Sequence, residues 1–185
     1  MHPAFRAAPL ALAVAASGCV ISVDSQAQVV RDEKRFTISG VPDVRLTTFD
    51  GAIEIRSWEQ PDVLVEIEKR GTTQEAVEEL EVLTSQDGRR IELEVKRPRS
   101  EGFRGIGFHP SASATLRVSL PRRSDVMARS GDGSIRIERV EGRIEVRTGD
   151  GSIRGLDLTG DLTMQTGDGS VTVEGAAGRL ELETG

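Results

Sequence analysis

The chain repeats itself at a fixed interval, and the repeat limits its fold more than any other feature. SGDGSI at 130–135 returns as TGDGSI at 148–153 and TGDGSV at 166–171, and Thr184-Gly185 opens a fourth copy. Gly131, Gly149 and Gly167 are 18 residues apart. In register the units read SGDGSIRIERVEGRIEVR, TGDGSIRGLDLTGDLTMQ and TGDGSVTVEGAAGRLELE. Aliphatic residues share columns: Ile135, Ile153 and Val171; Val140, Leu158 and Ala176; Ile144, Leu162 and Leu180; Val146, Met164 and Leu182. Glycine columns run through Gly131, Gly149 and Gly167, through Gly133, Gly151 and Gly169, and through Gly142, Gly160 and Gly178. Only Gly155 breaks the column of Ile137 and Val173.

Each unit alternates apolar and polar residues twice, with a glycine turn before each run. Alternation at period two marks a half-buried strand. One unit cannot bury its apolar face alone, but stacked units can. Equivalent residues then lie about 4.8 Å apart, one strand spacing. The expected fold is all-β: a β-solenoid or β-helix-like stack of 18-residue two-strand repeats, with glycine columns at the corners.

The pattern continues upstream in weaker form. In VRLTTFDGAIEIRSW at 44–58, Val44 and Leu46 fall on the columns of Ile144 and Val146, and Asp50-Gly51 on the turn. Ile53 and Ile55 fall on the next strand, and Trp58 on the column of Val140. Val126 and Ala128 complete the unit before Ser130. A short helix–hairpin insertion interrupts the series. TTQEAVEEL at 72–80 carries a capping box, Thr72 with Glu75, and Ala76, Val77 and Leu80 as its packing face. VLTSQDGRRIELEVK reads as a hairpin around Asp87-Gly88. SATLRVSLP at 113–121 returns to strand.

A stacked aliphatic core does not need aromatics, and the chain has few: five Phe, one Trp and no Tyr in 185 residues. The formal net charge of −6 argues against a nucleic-acid partner, which calls for a basic surface. One cysteine, Cys19, excludes an intramolecular disulfide. The two histidines are His2 and His109. With the N-terminus removed, that leaves too little for a His/Cys zinc site or Cys–His catalysis. No cofactor is expected.

MHPAFRAAPLALAVAASGCV has the order of an export signal: Arg6, a short apolar run from Leu10 to Ala16, then small residues. The run is too short to span a bilayer as a mature helix. Ala16-Ser17-Gly18-Cys19 resembles the lipobox of bacterial lipoproteins. The resemblance implies cleavage before Cys19, a diacylglyceryl group on it, and a membrane partner through that anchor. Val20 after the cysteine resembles an outer-membrane sorting residue, if the host has two membranes. The expected organisation is a signal peptide at 1–18, a tether at 19–35 and a repeat domain at 36–185.

The LRVSLP strand, the GDGSI and EGRIEV units and the preceding lipobox together resemble the bacterial putative-adhesin family of β-strand-repeat proteins, a domain of unknown function. The resemblance covers about residues 36–185. It implies a β-solenoid-like fold in the cell envelope and brings no chemistry with it. Some relatives lie in envelope-stress contexts, which implies a sensing or regulatory alternative.

GDGS admits several sharper readings. Calcium-binding β-rolls use a nine-residue repeat with aspartate and carbonyl ligands. Here the repeat is twice as long, with one aspartate each: Asp132, Asp150 and Asp168. These are the candidates for a weak cation site. The alternative is a turn, in which Asp-Gly supplies left-handed φ angles and a side-chain acceptor. GDGS lacks a following Lys-Ser/Thr and opens a strand, so it is not a P-loop. Glu138, Glu145, Asp157, Asp161 and Glu181 could in principle pair for glycoside hydrolysis. They alternate with arginines as a solvated β surface does, and no enzyme activity is expected.

The Gly-rich stretch at 97–112 contains Phe103, Arg104, Ile106 and Phe108, a contact loop for a protein partner or lipid headgroup, or else a flap over the solenoid. RLELETG carries no polar cap. The expectations there are a truncated repeat, strand-edge pairing with another copy or partner, or an edge blunted by Glu181 and Glu183. The expected function is a non-catalytic, lipid-anchored envelope scaffold or adhesin-like binding module for a protein or surface polymer. The alternatives are an envelope-stress module, a calcium-stabilised repeat and a polysaccharide-active enzyme.

Overall fold

The computed structural model describes residues 28–97 and 112–185. Its strands are β1 (Gln28–Phe36), β2 (Asp43–Thr48), β3 (Ile53–Trp58), β4 (Val63–Gly71), β5 (Glu81–Asp87), β6 (Arg90–Lys96) and β7 (Ala112–Pro121). There follow β8 (Asp125–Ser130), β9 (Ile135–Glu138), β10 (Glu141–Thr148), β11 (Ile153–Leu156), β12 (Thr159–Thr166), β13 (Val171–Glu174) and β14 (Ala177–Thr184). One helix, α1 (Gln74–Glu78), stands between β4 and β5.

The strands form two open seven-stranded sheets, ordered β1-β4-β7-β3-β9-β11-β13 and β14-β12-β10-β8-β2-β6-β5. From β8 onward the chain alternates between the sheets, so each coil gives one strand to each. The period of 18 is the stacking register: Ile144 lies beside Leu162, and Leu162 beside Leu180. Val44 and Leu46 pair with Val126 and Ala128, which pair with Ile144 and Val146. Inward residues from both sheets share one aliphatic core, in which Ile53, Ile135, Ile144 and Val146 are at most 1% exposed. Burying one such side chain contributes about 1.5–3 kcal/mol.

Coil order along the stack is not sequence order. β2 and β3 form a middle coil. β6 and β7 stack on one side of it, parallel to β2 and β3, and β8 and β9 on the other. The hairpin strand β6 and the strand β7 are therefore a coil rather than an insertion. Only β1, β4, α1 and β5 lie outside the pattern. β4 and β5 pair antiparallel with β7 and β6, which reverses the chain at that end.

That end is sealed. Ala76, Val77 and Leu80 are buried. The helix cap is Thr73, whose hydroxyl accepts from the Ala76 N–H at 3.2 Å, and not Thr72. The Lys69 ammonium donates to the Leu80 carbonyl at 2.5 Å, and the Gln86 amide to the Thr37 carbonyl at 2.9 Å. On β1, Asp32 and Lys34 form a 3.0 Å ion pair. They share the parity of Phe36, the strand's one core-contacting residue, and inward charge of this kind discourages further pairing at an edge. The sheet begins at Gln28, inside the stretch read as tether. At the opposite end β13 and β14 are the last strands, and Leu180 and Leu182 are 41% and 46% exposed.

Trp58 departs from its expected column. β9 turns after Glu138, but β3 runs on to Trp58, which pairs with Pro121. Trp58 thus stays out of the core. Its indole donates to the Asp62 carbonyl at 2.9 Å and lies under Arg35, 5.5 Å from the ring centroid.

Candidate functional site

The GDGS corners form one ridge along the solenoid. Each is built on the one before. The Gly149 N–H donates to the Gly131 carbonyl at 2.6 Å, and the Gly167 N–H to the Gly149 carbonyl at 2.7 Å. None of these glycines has a left-handed φ; within the ridge only Gly51 does, at +119°. The requirement is close approach instead. A Cβ on Gly133 would overlap the Gly51 carbonyl, and one on Gly151 the Gly133 carbonyl.

The polar groups that organise the ridge are the hydroxyls preceding each GDGS. Ser130 Oγ donates to the Gly51 carbonyl at 3.1 Å, Thr148 Oγ1 to Gly133 at 2.8 Å and Thr166 Oγ1 to Gly151 at 2.8 Å. The Ser130 and Thr166 oxygens also accept from the Gly133 and Gly169 N–H groups. All three hydroxyl residues are buried. They take the acceptor role expected of the aspartates. A Ser or Thr opening every unit was the available signal.

Asp132, Asp150 and Asp168 are exposed, and among the described residues no hydrogen bond or ion pair reaches their carboxylates. Among the described residues no group of three or more His, Cys, Asp or Glu gathers as a metal site. Gly142, Gly160 and Gly178 are not corners but second residues of β10, β12 and β14. They pair in register, and a Cβ on any of them would overlap a carbonyl of the preceding coil. The left-handed corner lies just upstream, at Arg139, Asp157 and Gly175, with φ of 55°, 51° and 68°.

The candidate carboxylates are dispersed. Glu138 pairs with Arg136, and Glu145 with Arg129 and Arg147 at 3.2 Å each. Asp157 is a corner residue, Asp161 lies in register between Arg143 and Arg179, and Glu181 is exposed on β14. The carboxyl pKa values that depart from normal all move down. The Lys34 hydrogen bond lowers Asp32. Burial opposes ionisation of Asp43 and Glu68, but arginine hydrogen bonds outweigh it: Arg90 and Arg45 at Asp43, Arg70 and Arg31 at Glu68. Arg122 holds Glu141 low.

Cys19, Phe103, Arg104, Ile106, Phe108 and His109 lie outside the described residues. The ends of the 98–111 stretch are placed. Arg97 sits 4.5 Å above the Phe49 ring, beside the GDGS ridge, and donates to the Ala112 carbonyl at 3.3 Å. Gln28 and Ala112 both pair with Gly71. The start of the first sheet and both ends of this stretch therefore emerge at one ridge. No helix among the described residues is long and apolar enough to cross a membrane.

The family model described as Toastrack DUF4097 matches residues 42–183, nearly the whole solenoid. The chain belongs to the Toastrack family. No curated protein matches it. Among solved structures it is similar to a "putative cell adhesion protein" from Clostridium sporogenes, at 12% identity and TM-score 0.46, covering 85% of this chain and 100% of that one. It is also similar to a "putative adhesin" from Parabacteroides distasonis, at 13% identity and TM-score 0.41, covering 83% and 70%. A "putative lipid binding protein" from the same organism shares 14% identity at TM-score 0.34, covering 83% and 65%. The Toastrack architecture is thus a two-sheet, solenoid-like stack, here sealed at one end by α1.

Proposed function

We propose that this Toastrack chain is a non-catalytic, adhesin-like binding scaffold of the bacterial cell envelope, anchored through a lipid on Cys19. The observation that carries the reading is the state of the carboxylates whose pKa is perturbed. A general acid needs a carboxyl whose pKa is raised, so that it holds its proton near neutral pH. Asp32, Asp43, Glu68 and Glu141 are all pushed down, each by a basic partner. Such groups stay ionised and fix flat, charge-patterned faces on a rigid aliphatic stack. That is a surface for recognition rather than for proton transfer.

Fractionation of the native host tests the anchor. The expected result is recovery with membranes, an N-terminus at acylated Cys19, and release into the soluble fraction on Cys19→Ser. Wild-type protein recovered soluble with an unmodified Cys19 would sink it.

A further inference from the structure

Arg129 on β8 and Arg147 on β10 are direct neighbours on the outer face of the second sheet. Neighbouring strands lie about 4.8 Å apart, so two like charges stand side by side. They share one carboxylate: each guanidinium lies 3.2 Å from Glu145 Oε1. Two cations against one anion leave a positive charge over. Both arginine side chains remain about half exposed, at 47% and 48%.

The next residue in this column is Gln165, and after it Glu183. The four line a groove of about 440 Å³ beside the GDGS ridge. Its other lining residues are Ser, Thr and Gly. The groove runs along the coil axis. It presents two guanidinium forks, then an amide, then a carboxylate. A carboxylate ligand can accept from two guanidiniums in one plane, a geometry that suits arginine better than lysine. The lining offers no large apolar side chain to receive an acyl chain or the side chains of a peptide. A ligand that fits is polar along its length and bears an acid at one point.

We propose that this groove binds an acidic saccharide lying along the coil axis, its carboxylate on Arg129 and Arg147 and its hydroxyls on Gln165 and Glu183. The assignment names a ligand class for the binding-scaffold reading above and rests on it.

The test is calorimetric titration of the full chain with tri-galacturonate at low salt. Maltotriose serves as the neutral control and inorganic sulfate as the free-anion control. Tri-galacturonate should bind, maltotriose should not, and sulfate should compete only at much higher concentration. Arg129→Gln and Arg147→Gln should each weaken binding by roughly fivefold or more, because each removes a charge-assisted donor. Glu145→Gln should strengthen it, since both guanidiniums lose their internal competitor. A merely structural role for Glu145 would make that variant weaker instead. Arg136→Gln, on the other sheet, should leave affinity unchanged. Circular dichroism checks that each variant is folded, and the direction of the Glu145→Gln effect decides the matter if an arginine variant is not.

Absence of tri-galacturonate binding, equal binding of maltotriose, sulfate binding as tightly as the saccharide, or indifference to both arginine variants would each overturn the assignment. Failure here with the protein still acylated in membranes would remove the saccharide and leave the envelope reading. Soluble, unacylated protein would remove the anchor and leave a measured saccharide affinity standing.

Discussion

The Glu68 carboxylate accepts from Arg31 Nε at 2.9 Å and so ties the edge strand β1 to β4. Arg70 Nε donates to its other oxygen at 2.6 Å, and Arg117 of β7 lies 3.6 Å away. Glu68 is 4% exposed although it points away from the core. Its burial is made by the arginines themselves, whose own heads remain in water.

Glu68→Gln should therefore cost about 1–3 kcal/mol, the scale for a buried charge-assisted hydrogen bond that loses its charge. The pH dependence has a definite sign. The folded pKa of Glu68 lies below the unfolded one, so its contribution is complete above about pH 4.3 and is lost as pH falls from there through the folded value. Urea melts between pH 7 and 3 should show wild type losing stability in that acid range, with a smaller loss in Glu68→Gln. Parallel pH profiles would refute the assignment.

Gly151→Ala should destabilise by about 2–3 kcal/mol, because the added methyl would overlap the Gly133 carbonyl of the coil before. Gly88→Ala is the contrast. Its left-handed φ of 57° is strained, but nothing lies within 4 Å of the added atom. Chemical denaturation of both variants separates steric overlap from backbone strain.

Thr166→Val should cost about 1–3 kcal/mol, because the Gly151 carbonyl loses its hydroxyl donor in a buried setting. Thr166→Ser should restore most of that loss, as Ser130 fills the same role two ridge positions away. A valine variant as stable as wild type would show that the hydroxyl ladder contributes no net energy.

Calcium should leave stability unchanged. Coincident melting curves in chelator and in millimolar calcium are expected, and the Asp132→Asn, Asp150→Asn, Asp168→Asn triple variant should melt no lower than wild type. It removes a column of like charges about 4.8 Å apart. A calcium-dependent rise that the triple variant abolishes would establish a cation site.

Arg139→Gly should stabilise by about 0.5–1 kcal/mol. Arg139 holds φ of 55°, a conformation that costs an L-residue about 1–2 kcal/mol and glycine little, offset in part by glycine's chain entropy. The equivalent corner of the third coil already has Gly175. Thermal melts would decide, and a lowered midpoint would mean that the Arg139 side chain contributes more than its backbone strain costs.

The coil was readable because stacking turns a three-dimensional contact into a one-dimensional period. Ile144, Leu162 and Leu180 meet at one strand spacing because they recur at one sequence spacing. The same logic placed Val44 and Leu46 in columns of the second half. It failed at Trp58, where a strand simply ran past the corner, a difference that periodicity does not encode. It also missed that β6 and β7 are a coil, since the long 98–111 stretch hides the repeat between them. At the ridge, the aspartate is the residue with the most chemistry in the sequence. Yet the burial that makes a hydroxyl valuable at Thr166 shows only when coils are stacked. Arg129 and Arg147 were visible as residues, but their competition for Glu145 depends on strand register.

The order of the first sheet carries a consequence for how the molecule is assembled. β3 and β4 follow each other in the chain, yet no ladder joins them, because β7 lies between. A nascent chain that has emitted β2, β3 and β4 holds two edges that must not close on each other. It has to keep that gap open until Ala112–Pro121 arrives to fill it. Pairings between segments so far apart in sequence are slow to form. The last coils, by contrast, add one after another onto a surface already made. The slow pairing is thus expected at the insertion of one strand, β7, into the slot between β4 and β3.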